Sequence, residues 1–126
     1  MNSDDNDMTA WETMVFDLVK PPQEILDSLS PEKTMLIHMT MGVAGEAGEI
    51  IDAVKKHVMY NKPLDMQNMI EEMGDIEFYL EGIRQALNIK RSDVLAANFN
   101  KLYGGDKARY KNGYTDAAAI KRADKL

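Results

Sequence analysis

The chain has 126 residues, with 21 Asp plus Glu, 15 Lys plus Arg, ten Met, no Cys and 44% hydrophobic residues, enough for one small domain with a modest core. A formal charge of −6 disfavours general nucleic-acid binding, which needs surplus Lys and Arg, and the missing cysteines exclude a disulfide framework and a thiolate zinc site. The charge is uneven: the first 83 residues hold 17 acids and 5 bases, and the last 43 hold 4 acids and 10 bases.

Residues 1–8 read Met-Asn-Ser-Asp-Asp-Asn-Asp-Met, a flexible acidic leader without the basic and apolar regions of a secretory signal. Thr9 is placed to cap a first helix to about Lys20, with Trp11, Met14, Val15 and Leu18 at helical spacing, and Pro21-Pro22 ends it. A short helical turn fits around Ile25. Ser30-Pro31-Glu32 supplies a hydroxyl cap, a first-position proline and a first-turn acid, opening a long helix to about Tyr60. After the break at Asn61-Lys62-Pro63-Leu64, Asp65 caps a third helix carrying Met66, Met69, Ile70, Met73, Ile76, Leu80, Ile83 and Leu87 at three- and four-residue steps. Ser92 is placed to cap a fourth helix through about Leu102, stopped by Gly104-Gly105, and a short helix can start at Asp116.

No alternating strand pattern, internal repeat or uncharged apolar run of membrane-spanning length occurs. The expectation is a soluble, cytoplasmic, all-α protein of four to five helices, its single domain over 9–114 and a charged tail over 115–126.

On the long helix Met35, Leu36, Met39, Val43, Ala47, Ile50 and Val54 form one apolar stripe at 100° per residue. Glu46 falls inside that stripe, and Glu49 lies about 60° away, just beyond its edge. An unpaired carboxylate on a buried face is unfavourable, so something must neutralise Glu46. Glu72 and Asp75 repeat the spacing on the third helix, on the side of Tyr79. Either pair alone is ordinary on a solvated helix face. Together they form a set that repels itself unless a cation answers it, and all-oxygen ligation suits Mg²⁺ or Mn²⁺. Gly42, Gly45 and Gly48 on the same helix imply close helix approach or room for a ligand. A di-iron bundle needs Glu-x-x-His, but His38 and His57 follow Met35 and Val54 at that spacing, and no EF-hand loop is present.

The run Gly45-Glu46-Ala47-Gly48-Glu49-Ile50, a spacer over 51–70, and Glu71-Glu72-Met73-Gly74-Asp75-Ile76 resembles the MazG-like all-α nucleoside triphosphate pyrophosphohydrolases, with their Glu-x-x-Glu and Glu-x-x-Asp signature. The resemblance starts at His38-Met39-Thr40-Met41-Gly42 and continues through Asn98-Phe99-Asn100-Lys101-Leu102 to Arg109-Tyr110 and Gly113-Tyr114, covering roughly residues 31–122. Two departures are Gly45, where many members carry Glu, and the longer Gly104-Gly105-Asp106 stretch.

The resemblance implies Mg²⁺-dependent hydrolysis of a nucleoside or deoxynucleoside triphosphate to the monophosphate and pyrophosphate, by a bundle completed as a homodimer or homotetramer. Small phage-type members act on deoxynucleotides, so a purine such as dGTP or dATP is the best-matched substrate, with the host cytoplasm as location if the chain is phage-encoded. Glu46, Glu49, Glu72 and Asp75 would hold two or more Mg²⁺ or Mn²⁺ ions, with Glu49 the choice to orient or deprotonate the attacking water. The triphosphate needs cations: Lys101 and Arg109 first, then Lys55 and Lys56, with Asn98 beside Lys101 and Tyr110 stacking or capping the phosphates. His38, Trp11 and Tyr79 are the aromatic candidates for the base. A non-catalytic helical dimer that binds a nucleotide or a protein partner is the alternative; no DNA-recognition helix and no membrane partner is expected.

Overall fold

Prolines, capping side chains and a few left-handed residues divide the chain into helices. The computed structural model describes the backbone of residues 3–125 and the side chains of residues 9–125, with no strand among them. In chain order they form α1 (Ser3–Leu18), α2 (Pro22–Ser28), α3 (Pro31–Met59), α4 (Met66–Leu87), α5 (Arg91–Phe99), a π-helical turn (Asn100–Gly104), α6 (Asp116–Lys121) and a 3₁₀ turn (Ala123–Lys125). The chain separates into two units, Met1–Thr34 and Met35–Leu126.

In the first unit, the described part of α1 already begins at Ser3, upstream of the expected Thr9. Residues 3–8 of the expected leader are therefore helical backbone, and the Thr9 carbonyl accepts from the Thr13 hydroxyl at 2.9 Å. Pro22 opens α2, and Ser30 caps α3 by accepting the Lys33 N–H at 3.2 Å.

In the second unit α3 and α4 run antiparallel. The Met39 side chain lies against Gly82, and three residues from each along the pair the Tyr79 ring lies against Gly42. Met39 is only 5% exposed and anchors this contact. The middle of the expected stripe, Leu36, Val43, Ala47 and Ile50, is half-buried beside it, whereas Met35 and Val54 at its ends are exposed. Asp65 caps α4 by accepting the Asn68 N–H at 3.0 Å, and Asn88 ends it in the left-handed region at φ 54°.

α5 begins at Arg91 because the Asp93 carboxylate, not Ser92, closes its start by accepting the Lys90 N–H at 3.2 Å. The expected helix to Leu102 stays α-helical only to Phe99, then widens into the π-helical turn, closed by the Gly105 N–H on the Asn100 carbonyl at 2.9 Å. A Cβ at Gly105 would press on that same carbonyl oxygen, so glycine is needed there. Thr115 caps α6 through the Ala118 N–H at 3.0 Å.

Among the described residues no helix is long and apolar enough to cross a membrane. Many apolar side chains on the α3 and α4 surfaces, Ile51, Val58, Met59, Met66 and Ile70 among them, are more than half exposed.

The three glycines of α3 should respond differently to alanine. At Gly42 a Cβ collides with the Tyr79 ring, so Gly42→Ala is expected to destabilise by about 1–3 kcal/mol. At Gly45 and Gly48 a Cβ meets nothing within 4 Å. There the substitution should stabilise by up to about 1 kcal/mol through helix propensity, and urea unfolding midpoints of the three variants check the ordering.

Candidate metal centre

Glu46 from α3 and Glu72 and Asp75 from α4 each place a carboxylate oxygen within 4.8 Å of the other two. The local sequence explains how. Glu72 and Asp75 are three residues apart and so share an α4 face, while the Gly42–Tyr79 contact, one turn from both Glu46 and Asp75, brings α3 close enough for Glu46 to meet them. Glu46 and Glu72 are half-buried, and Asp75 is exposed.

Glu72 Oε2 is inaccessible and has no hydrogen-bond partner. Hydrogen bonding between the Glu72 carboxyl and Glu46, which leaves Oε2 unsatisfied, then burial, then the charges of Glu46, Asp75 and Glu71 push the Glu72 carboxyl up to about 7. No ion pair among the described residues reaches any of the three acids. An oxygen-only donor set with a buried, unanswered oxygen fits a hard divalent cation, with Glu46, Glu72 and Asp75 as its protein ligands.

Glu49 lies outside this triad. It is exposed one turn beyond Glu46 and lines a cavity of about 330 Å³ with Asp52, Lys56, Lys62, Asp65 and Asn68. There Lys56 pairs with Asp52 at 2.8 Å. Hydrogen bonding and charge from Lys56 hold the Asp52 carboxyl below its ordinary value, and Asp52, then Glu49, hold Lys56 in its charged form. Lys55 is on another side of α3, beside the apolar surface of Ile50, Ile51, Val54, Val58 and Met59.

His38 meets Tyr79 edge-on, with ring centroids 6.3 Å apart, and Tyr79 meets Phe78 in the same manner at 5.3 Å. Tyr79 is one turn beyond Asp75, so this aromatic row adjoins the triad. Trp11 belongs to the first unit.

Asn98 and Lys101 are exposed at the end of α5 and in the π-helical turn. Arg109, expected at a phosphate, has a different partner: Asp124 accepts its Nε at 2.7 Å and its Nη2 at 3.2 Å. The two side chains are 17% and 5% exposed, so the pair pins the C-terminal segment from inside. Hydrogen bonding to Arg109 holds the Asp124 carboxyl below its ordinary value against the opposing effect of burial. Tyr110 rests beside this guanidinium, 6.0 Å from ring centroid to Cζ, and its ring packs on Tyr114 at 5.4 Å.

Sequence reasoning missed Asp124 and the buried Arg84, which bonds Glu81 at 3.1 Å within α4. The one available signal for Asp124 was its position as a lone acid in the run Lys121-Arg122-Ala123-Asp124-Lys125.

The family model for the MazG nucleotide pyrophosphohydrolase domain matches residues 35–110, a stretch that includes the triad, Glu49, His38, Lys101 and Arg109. The Gene 37 protein of Mycobacterium phage L5 is 35% identical over 71 residues, which take in 53% of this chain and 62% of that protein. The chain thus spans about three fifths of that relative's length. No solved structure matches.

The triad sets a pH dependence. With Glu72 raised from 4.5 to about 7, folding takes up a proton between those values, so the cation-free protein should lose stability as pH rises through that interval. Asp124 acts oppositely, contributing stability above 3.8 that is lost on further acidification. Melting temperatures in chelator across this range should fall with rising pH for the native chain, and the fall should be much reduced in Glu72→Gln.

Proposed function

Because the chain belongs to the MazG nucleotide pyrophosphohydrolase family, we propose that it hydrolyses a nucleoside triphosphate to the monophosphate and pyrophosphate with Mg²⁺, which Mn²⁺ can replace. The observation that carries this reading is the convergence of Glu46, Glu72 and Asp75 around an oxygen of Glu72 that nothing in the chain satisfies. The similarity to a phage protein is consistent with the small phage-type members, and a purine deoxynucleotide such as dGTP or dATP is the substrate we favour.

Glu46, Glu72 and Asp75 would hold the cation, which when bound would supply positive charge to phosphate oxygens and acidify a water. The remaining roles fall to the chain's own side chains. Glu49, exposed one turn from Glu46, takes the proton from the water that attacks a phosphorus of the α–β linkage. Lys56, kept charged by Asp52 and lining the same cavity as Glu49, meets non-bridging oxygens. Lys101 and Asn98, both exposed, reach the outer part of the phosphate and ribose. His38 and Tyr79 offer ring surfaces beside the triad on which a base can rest. Arg109 acts through its bond to Asp124, holding the segment after α5 in place, and Tyr110 packs on it. The apolar side chains left exposed on α3 and α4 support a homodimer or homotetramer in which a second copy covers them.

Incubation with Mg²⁺ and a panel of ribo- and deoxyribonucleoside triphosphates should yield monophosphate and pyrophosphate in equal amounts. Release of orthophosphate alone would refute the reaction. Glu46→Gln and Asp75→Asn should each lower kcat by at least about a hundredfold with the helical circular dichroism unchanged, and retained turnover in both would remove the triad from the chemistry. Calorimetry showing no uptake of Mg²⁺ or Mn²⁺ would favour the non-catalytic dimer.

A further inference from the structure

Lys101 stands on a turn that is held by the chain returning past it. The π-helical turn offers three successive carbonyls: Asn100 accepts the Gly105 N–H at 2.9 Å, Lys101 the Arg109 N–H at 2.9 Å, and Leu102 the Tyr110 N–H at 2.8 Å. A π turn is a rare local geometry, found mostly as a single turn and often at functional sites. Here the backbone that carries Lys101 is set by where residues 109 and 110 are held.

Both are held from the C-terminal segment. Thr115 starts α6, Arg122 turns the chain in the left-handed region at φ 51°, and the 3₁₀ turn that follows delivers Asp124 to the Arg109 guanidinium, on Nε at 2.7 Å and Nη2 at 3.2 Å. Tyr110 packs on Tyr114, whose hydroxyl donates to Asp116 at 2.8 Å in the first turn of α6. Hydrogen bonding to Arg109 dominates in keeping the Asp124 carboxyl ionised, and the charge of Lys101 adds to it, so the lysine lies nearby. Beneath α6 a cavity of about 250 Å³ is bordered by Arg109, Lys111 and Lys121. The lysines are exposed, whereas Arg109 is already answered by Asp124 and serves there to fix the chain.

A buried ion pair adds little stability over an apolar pair of the same size, but its forked geometry fixes position and direction. Asp124 lies beyond residue 110, where the family match ends, so the tie comes from outside the matched stretch. We propose that Asp124 is a positioning residue for Lys101: by gripping Arg109 it fixes the returning chain on the π-helical turn and so aims the lysine at the triphosphate. This rests on the place given to Lys101 in the proposed reaction.

The test is a double-mutant cycle on the full chain with Mg²⁺ and the nucleoside triphosphate that the native chain turns over best. Asp124→Asn should raise KM at least fivefold while kcat changes less than twofold, because the lysine contributes binding that ground state and transition state share. Lys101→Gln should raise KM by a similar factor, and adding Asp124→Asn to it should raise KM less than twofold further. Asp124→Glu, which keeps a carboxylate for Arg109, should restore KM to within threefold of the native value, and it decides the matter if circular dichroism shows that Asp124→Asn has lost helix. A native KM in Asp124→Asn, a full further rise in the double variant, or an Asp124→Glu chain that folds but is no better than Asp124→Asn would overturn the proposal and leave the reaction standing. A native chain that turns over no triphosphate would refute the reaction, and this proposal with it.

Discussion

Three carboxylates within 4.8 Å of one another repel, and the second unit holds the helices that carry them together. Two of them, Glu72 and Asp75, are fixed to each other by the turn of α4, and the third is brought across by the antiparallel contact with α3. That contact depends on two small residues facing two large ones: Gly82 accommodates Met39 and Gly42 accommodates Tyr79. The pairing places one residue of each kind on each helix, which draws the backbones together while filling the seam. The crowding in the centre shows in Glu72, whose carboxyl, hydrogen-bonded to Glu46, buried and faced by like charges, keeps its proton to about 7. The same strain that disfavours the cation-free arrangement favours any cation that displaces this proton, so proton and cation compete for one place.

The uneven charge of the chain acquires a spatial meaning from this arrangement. The acidic front contributes a centre that asks for a cation. The basic back contributes an exposed lysine after α5 and a cavity rich in cations under α6. The two are not mirror images, because Arg109, the most rigid cation of the back, is neutralised by Asp124. That buried pair converts a basic tail, which would otherwise repel itself, into an ordered segment, and only the lysines beyond it retain free charge.

Much of the fold was legible because its signals are local. Pro31 after Ser30, Asp65 before the Met66 stripe, and Thr115 before Asp116 each start a helix where the sequence predicts one. The all-α class and the MazG resemblance follow from such signals together with the acid spacing. The errors arose where local signals compete: α1 already runs through Thr9 from at least Ser3, and Asp93 closes a turn that Ser92 could also close. The candidate site was legible in part for the same reason. Helical phase puts Glu46 on the α4-facing side and Glu49 past its edge; the structure joins Glu46 to Glu72 and Asp75, but it leaves Glu49, which the resemblance implies as a fourth ligand, over the neighbouring cavity. The Arg109–Asp124 pair spans fifteen residues through two irregular turns, and no periodicity encodes such a contact. Arg84 is buried for a similarly non-local reason, since its position on α4 carries no mark that distinguishes it from a surface arginine.

The hairpin also determines where the chain can change length. The loop between α3 and α4 is exposed and joins helices whose relative position is already fixed elsewhere, by Met39 on Gly82 and Tyr79 on Gly42. Residues added or lost there change only a loop-closure entropy that varies slowly with length. A single residue added between Gly42 and Glu46, or between Asp75 and Tyr79, would instead rotate an acid about 100° away from the helix contact that positions it. Length variation is therefore tolerable between the two acidic motifs and intolerable within the turn that ties each motif to its contact. A spacer free to drift between two rigid tetrapeptides is the pattern this geometry would impose on any lineage that retained it.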